Sequence, residues 1–282
     1  MSWTVFLAVI GAAALHAIWN ALVKGGHDKL MSMSAVVLGH MPFAALGIWL
    51  APSFDMEALP YLIVGIVFHQ GYQLFLLYSY NAGDLTQVYP IARGSAPLIV
   101  AGVSVLGLGV VLAPMELVAV LIIGCGIVSL ALVRRADGLR NGKAALLALI
   151  TGCFIAGYSL VDGYGARAAG SSVAYYSWLA IANGVIFAGI IALRSPKTLG
   201  KLATTGKRMF WIGGGASYIA YSIVTWAFTQ APIALVTALR ETSIIFALLI
   251  GVFFLNEKLS LTKLVSTMTV LAGAALLRLA KA

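Results

Sequence analysis

Charge is what this chain has least of. Asp, Glu, Lys and Arg make up 10% of its 282 residues, where a soluble protein carries about a quarter. Acidic residues are scarcer still, 9 against 18 Lys and Arg. Long polar stretches are missing too: the longest, around 194 to 208, is too short for a soluble domain. Together these shortages exclude a globular aqueous fold. What is present is apolar, 61% hydrophobic with a mean hydropathy of +1.00. Apolar runs of roughly 20 residues recur from end to end, long enough to cross a ~30 Å hydrocarbon core at ~1.5 Å per helical residue. Such a chain is stable where lipid is the solvent and each helix satisfies its own backbone.

Catalytic and nucleotide motifs are also absent. There is no HExxH, no GxSxG and no GxxxxGK[ST] in the sequence, so metalloprotease, hydrolase-elbow and P-loop chemistry have no carrier here. His16, His40 and His69 fall on three different runs without ligand spacing. The expectation is no enzyme, no cofactor and no metal. Cys125 and Cys153, the two cysteines, lie inside apolar runs and are expected to be buried as small apolar residues, not paired. The net charge of +9 does not announce nucleic acid as a partner, because the basic residues flank apolar runs, where they set membrane orientation.

Ten spans are expected, at 2–23, 31–51, 58–81, 85–107, 113–133, 143–164, 172–194, 208–230, 232–255 and 262–279. The first starts at once, without the charged leader or cleavage site of a signal peptide, and is expected to be a retained helix. Lys24, Lys29, Arg134, Arg135, Arg140, Lys143, Arg194, Lys197, Lys201, Lys207, Arg208, Lys258 and Lys263 fall on one side, against Arg167, Arg278 and Lys281 on the other. That bias places the first side in the cytoplasm and both termini outside.

The chain also repeats. At a constant offset of 147, Arg93 falls on Arg240, Val105 on Val252, Leu117 on Leu264, Val118 on Val265 and Gly126 on Gly273. Apolar matches are cheap in such a chain, but each half has a single arginine deep in an apolar run. With a two-residue adjustment Tyr72 falls on Tyr221; in a separate, weaker register Trp19 and Asn20 can be set against Tyr158 and Ser159. Five spans per half is an odd number, so the halves, 1–136 and 137–282, are expected to run in opposite senses across the bilayer. The fold class expected is therefore an all-α integral membrane protein of ten transmembrane helices in two inverted five-helix repeats, an architecture of secondary transporters with the site near the midplane.

Particular stretches sharpen this. "HAIWNALVK" closes the first span, "YPIARGSAP" sits in the fourth, and "RETSIIFALLIGVFFLNEKLS" fills the ninth and its exit, with Glu257 and Lys258 in the final turn. Over essentially its whole length the chain resembles the EamA-like branch of the drug/metabolite transporter superfamily. The resemblance implies a multi-pass protein of a bacterial-type cytoplasmic (inner) membrane, working as a monomer or homodimer, that moves a small-molecule substrate by alternating access, export being favoured.

Polar groups inside a bilayer need partners or a cavity. Arg93 and Arg240 lie about eight residues into their spans, roughly 12 Å deep, from opposite faces. A guanidinium there costs ~3 kcal/mol and grips carboxylates well; it serves either a solute or a buried partner such as Glu241. His16, Trp19 and Asn20 share one helical stripe with Val23. His69, Tyr72 and Gln73 form a second group, and Tyr218, Tyr221, Ser222 and Thr225 a third, with Tyr89 in the arginine segment and Tyr158 four residues before Asp162. The candidate substrate-binding set is Arg93, Arg240, Trp19, Asn20, His16, Tyr72, Gln73, His69, Tyr89, Tyr158, Tyr221 and Thr225; Asp162 and Glu241 are the candidate coupling or pairing carboxylates, with protons the ion in question. Asp162, near its span's end, is equally open to being hydrated. His40 is expected to be a packing histidine. Pro97 is expected to mark a bend, and the glycines 213–215 to permit close helix contact or a bend. Two guanidiniums beside carboxylates and amides favour an amino acid-like zwitterion or organic anion; the alternatives are amine, quaternary ammonium or drug-like cations, or a channel or scaffold without carrier activity.

Overall fold

The computed structural model describes residues 2–108, 113–131, 141–231 and 233–280. Among these the elements are helical: α1 Trp3–Gly25, α2 Lys29–Leu50, α3 Leu59–Ala82, α4 Leu85–Leu108, α5 Pro114–Ala131, α6 Gly142–Ala168, α7 Ser172–Arg194, a short α8 Pro196–Leu202, α9 Gly214–Gln230, α10 Ile233–Arg240, α11 Ser243–Phe253 and α12 Leu261–Ala280. A wide turn, Met209–Gly213, leads into α9, and α10 with α11 makes one crossing. The ten expected spans thus match ten crossings. Among the described residues five helices are long and apolar enough to span alone, Trp3–Gly25 and Gly142–Ala168 among them. Polar residues close the loops: Asp28 accepts from Met31 N at 2.9 Å and Asn141 from Ala144 N at 3.3 Å, each satisfying an orphan donor of a first turn.

The inverted repeat appears in the packing. α1 packs on α9 as α6 packs on α3, and α4 leans on α6 as α10 and α11 lean on α1; α2 pairs with α7 and α5 with α12 across the pseudo-axis. The α5–α12 contact keeps the sequence offset atom for atom. A Cβ at Gly126 would lie 2.7 Å from Val270 Cγ2 and 3.0 Å from Ser266 O; one at Gly273 would lie 2.6 Å from Ile123 Cγ1 and 3.0 Å from Ala119 O. Ile123 and Ala119 are the offset partners of Val270 and Ser266, so the same contact is made twice. Basic side chains repeat a second device. Lys24, ending α1, donates to Tyr80 O and Gly83 O at 3.0 and 2.6 Å, and Arg167, ending α6, to Phe228 O and Ala231 O at 2.8 and 3.0 Å. Each closes the carbonyl end of its repeat's third crossing, where cations are favoured.

Several expectations are corrected. Helix α4 runs unbroken through Pro90 and Pro97, while its counterpart breaks at Glu241–Thr242 without a proline. For the glycines 213–215, by contrast, the close-contact expectation holds: a Cβ on Gly214 would stand 2.6 Å from Gly39 Cα of α2. Cys125 and Cys153 are exposed free thiols, not buried; on a membrane protein the apolar exterior faces lipid, so an apolar context does not imply the interior. The proposed boundary at 136/137, with Arg134, Arg135 and Arg140, lies outside the described residues, as do Lys281 and the side chain of Arg278.

Candidate functional site

The polar stripes of α1, α3, α6 and α9 converge at mid-depth. With α2 and α7 they enclose a cavity of about 30 Å³ lined by His16, Trp19, Met33, Val36, Val37, His40, His69, Tyr72, Gln73, Tyr158, Tyr176, Ser217 and Tyr221. Both halves contribute. A larger groove of about 510 Å³ between the ends of α2, α3 and α7 is lined by Ile48, Pro52, Phe54, Leu59, Trp178 and other residues without an ionisable side chain; chemistry, not size, makes the central cavity the candidate site.

Its wall is a run of rings. His69 stacks on Tyr158 at 4.4 Å, Tyr158 meets Tyr72 and Tyr221 edge-on at 5.4 and 5.5 Å, and Tyr176 joins Tyr221 to Tyr218 at 4.9 and 5.3 Å. Edge-on and offset pairs of this kind are favourable and fix ring orientation. Trp19 Nε1 donates to His16 Nδ1 at 3.3 Å, so the hydrogen of a neutral His16 sits on Nε2. That Nε2, His40 Nε2 and Gln73 Oε1 are buried without a partner. An unpaired buried polar atom is expensive, and three of them share this one wall.

Behind the rings stand charges of both signs. Asp162 of α6 is fully buried; His69 Nε2 lies 2.7 Å from its Oδ2, Tyr221 OH donates to it at 2.6 Å and Tyr175 OH at 3.0 Å. The hydrated helix end is therefore excluded for Asp162. Arg240 lies 5.3 Å from the Tyr221 ring centroid and makes long contacts to Ser159 Oγ at 3.4 Å and Tyr158 OH at 3.5 Å. Tyr221 thus bridges a carboxylate through its hydroxyl and a guanidinium through its face.

Arg93 stands one layer further back. Its Nη2 donates to the Arg240 carbonyl at 3.2 Å and lies 3.9 Å from Glu241 Oε1, a buried ion pair. Neither arginine lines the cavity. Asn20 is held by Tyr80 OH at 2.7 Å and by its own bond to His16 O, Thr225 bonds back to Tyr221 O and Ser222 O, and Tyr89 is buried away from the lining set. The structure gathers His16, Trp19, His69, Tyr72, Gln73, Tyr158 and Tyr221 at the wall and leaves Arg93, Arg240, Asn20, Tyr89 and Thr225 off it. It adds His40, whose lone position beside Pro42 points to packing, and Tyr176. It also adds Tyr175, whose pairing with Asp162 crosses from α7 to α6 and leaves no mark in either stripe.

At the Lys-rich end Glu257 carries out a further task. Its two oxygens accept from Leu85 N at 2.8 Å and Thr86 N at 2.9 Å, capping α4 from the α11–α12 turn. Asn256, at φ 53, makes that turn, a left-handed conformation that Asn tolerates. Lys263 Nζ adds bonds to Asp84 at 3.2 Å and Thr86 Oγ1 at 2.9 Å.

A buried polar cavity where two oppositely running five-helix sets meet is the arrangement of a membrane carrier. Residues 142–279, just under half of the chain, match the EamA-like transporter family, a match consistent with a member of the drug/metabolite transporter superfamily. The apolar helices make it an integral, multi-pass membrane protein, and the matched family is one of small-molecule transporters. A solved structure described only as "Crystal structure of protein" has the same fold, with a TM-score of 0.65 at 18% identity, covering 99% of this chain and 98% of its own. No curated protein matches the chain.

Proposed function

We propose that the protein is a carrier for an amino acid-like zwitterion, or a related organic anion, working by alternating access and in the direction of export. The observation that supports this is Tyr221, with Asp162 at its hydroxyl and Arg240 over its ring. Opposite charges on two sides of one aromatic wall suit a guest carrying both. The cavity has room for about two waters, so a solute is accommodated only as the walls part. The two repeats, 1–136 and 137–282, supply the moving halves, and a monomer or homodimer is sufficient for them. The Lys/Arg-rich end, with Glu257 and Lys263, is assigned to the cytoplasm and both termini to the outside of a bacterial-type inner membrane. No step calls for a cofactor or for catalysis.

Counterflow in proteoliposomes tests this. Vesicles loaded with unlabelled amino acids should accumulate the matching labelled one transiently and unchanged. Accumulation of choline or alkylamines in place of every amino acid and organic acid favours the cation alternative, for which the ring-lined wall is the supporting feature. Flux that neither saturates nor shows counterflow points to a channel and rejects the proposal.

A further inference from the structure

Asp162 is the point at which four helices close on one another. It sits on α6, and its partners come from α3 (His69), α7 (Tyr175) and α9 (Tyr221). Two of these partners, His69 and Tyr221, are walls of the central cavity. Space around the carboxylate is tight, since a Cβ on Gly65 of α3 would come within 2.7 Å of Asp162 Oδ1.

A buried carboxylate charge persists only where something balances it. The titratable groups that surround Asp162 are the His69 imidazole on α3, Tyr175 and Tyr176 on α7, Tyr221 on α9 and Tyr158 on α6, with Arg240 of α10 beyond the Tyr221 ring. Tyrosines donate hydrogen bonds without adding positive charge, and Arg240 has no bond to Asp162. The imidazole is the one neighbour in contact with the carboxylate whose gain or loss of a proton decides whether the charge is balanced. It stands between the carboxylate and the cavity. In the register that sets Trp19 against Tyr158, the partner of Asp162 in the first half is Val23, fully buried, so the arrangement is not repeated there. The other deep carboxylate, Glu241, is 3.9 Å from Arg93 and off the cavity wall.

We infer that the His69–Asp162 pair is a proton-binding site that couples solute export to proton entry. The pair holds one proton when the cavity is empty. The ammonium end of an entering solute replaces that positive charge, and the proton leaves to the water on the open side. Each cycle then moves one proton inward for one solute outward, and no other reactant is consumed. This inference rests on the zwitterion reading of the same cavity, and the test separates the two.

The test uses the full-length protein in proteoliposomes adsorbed on a solid-supported membrane, with a pH step alone as the probe. The wild type should give a transient charge displacement. Asp162→Asn, which keeps an acceptor oxygen for the tyrosines, and His69→Gln, which keeps a donor, should each lose it; Glu241→Gln should retain it. His69→Gln serves if Asp162→Asn does not purify as a monodisperse protein. Absence of the transient in the wild type, its survival in both dyad variants, or its loss only in Glu241→Gln overturns the proton site. The common amino acids are then added at constant pH. A proton transient without response to any amino acid leaves the proton site standing and rejects the zwitterion.

Discussion

The fourth and ninth crossings carry matched arginines on opposite kinds of backbone. α4 contains Pro90 and Pro97 and runs from Leu85 to Leu108 without interruption. The other crossing has no proline between Ile233 and Phe253, yet it stops at Arg240 and restarts at Ser243. A proline count predicts the reverse. The difference is resolved at one register. In a regular helix the carbonyl of residue i receives the N–H of i+4. For Arg93 that residue is Pro97, which has no N–H. For Arg240 it is Ile244, whose N–H turns instead to Glu241 O at 2.9 Å, while the Arg240 carbonyl receives Arg93 Nη2 at 3.2 Å. Both halves therefore leave the arginine's carbonyl without its helical donor, one by covalent structure and the other by capture from the opposite repeat. A shared hydroxyl device follows: Ser95 Oγ donates to Ala92 O at 3.1 Å and Thr242 Oγ1 to Leu239 O at 2.8 Å.

This comparison can be broken in stages. The largest effect should come from Arg93→Met, which frees the Arg240 carbonyl and leaves Glu241 buried without its counter-charge. A loss of about 3–5 kcal/mol is expected for breaking one side of such a pair, read as unfolding in detergent, and Arg93→Met with Glu241→Leu should recover most of it. If the single and double variants are equally unstable, the pair is not what holds α10 to α4. Glu257→Ala removes two charge-assisted bonds from the first turn of α4 and should cost about 1–2 kcal/mol. It should also raise maleimide labelling of a Thr86→Cys reporter in a cysteine-free background; unchanged labelling would count against the clamp. Thr242→Val should cost about 1 kcal/mol and Ser95→Ala less, because α4 is already continuous; equal costs would erase the contrast. Smallest of all, Pro97→Ala restores the missing N–H and should move stability by under about 1 kcal/mol, with helix content by circular dichroism unchanged.

The ten crossings and the matched arginines were legible because they rest on short-range signals, run length and the rarity of charge. Stripe positions were legible as well: His16, Trp19, His69, Tyr72, Gln73, Tyr158 and Tyr221 do meet at one cavity. What could not be read is pairing at long separation. His69 reaches Asp162 across 93 residues, and Leu85 reaches Glu257 across 172; no local period encodes either. Depth alone also misplaced Arg93 and Arg240. It gives distance from the membrane surface, whereas rotation about the helix axis decides between the cavity and the layer behind it. Cys125 and Cys153 failed for a related reason, since lipid and protein core reward the same apolar neighbours.

The glycines of α5 and α12 carry one more consequence. Gly126 and Gly273 make the same contact from two directions, so the pseudo-two-fold axis passes between them. Points on an axis stay where they are when the parts around it exchange places. On the alternating-access mechanism proposed above, the two halves would exchange conformations about this pair. Its backbones are too close for side chains to repack. Any added methyl at Gly126 or Gly273 therefore pushes α5 and α12 apart at the axis itself.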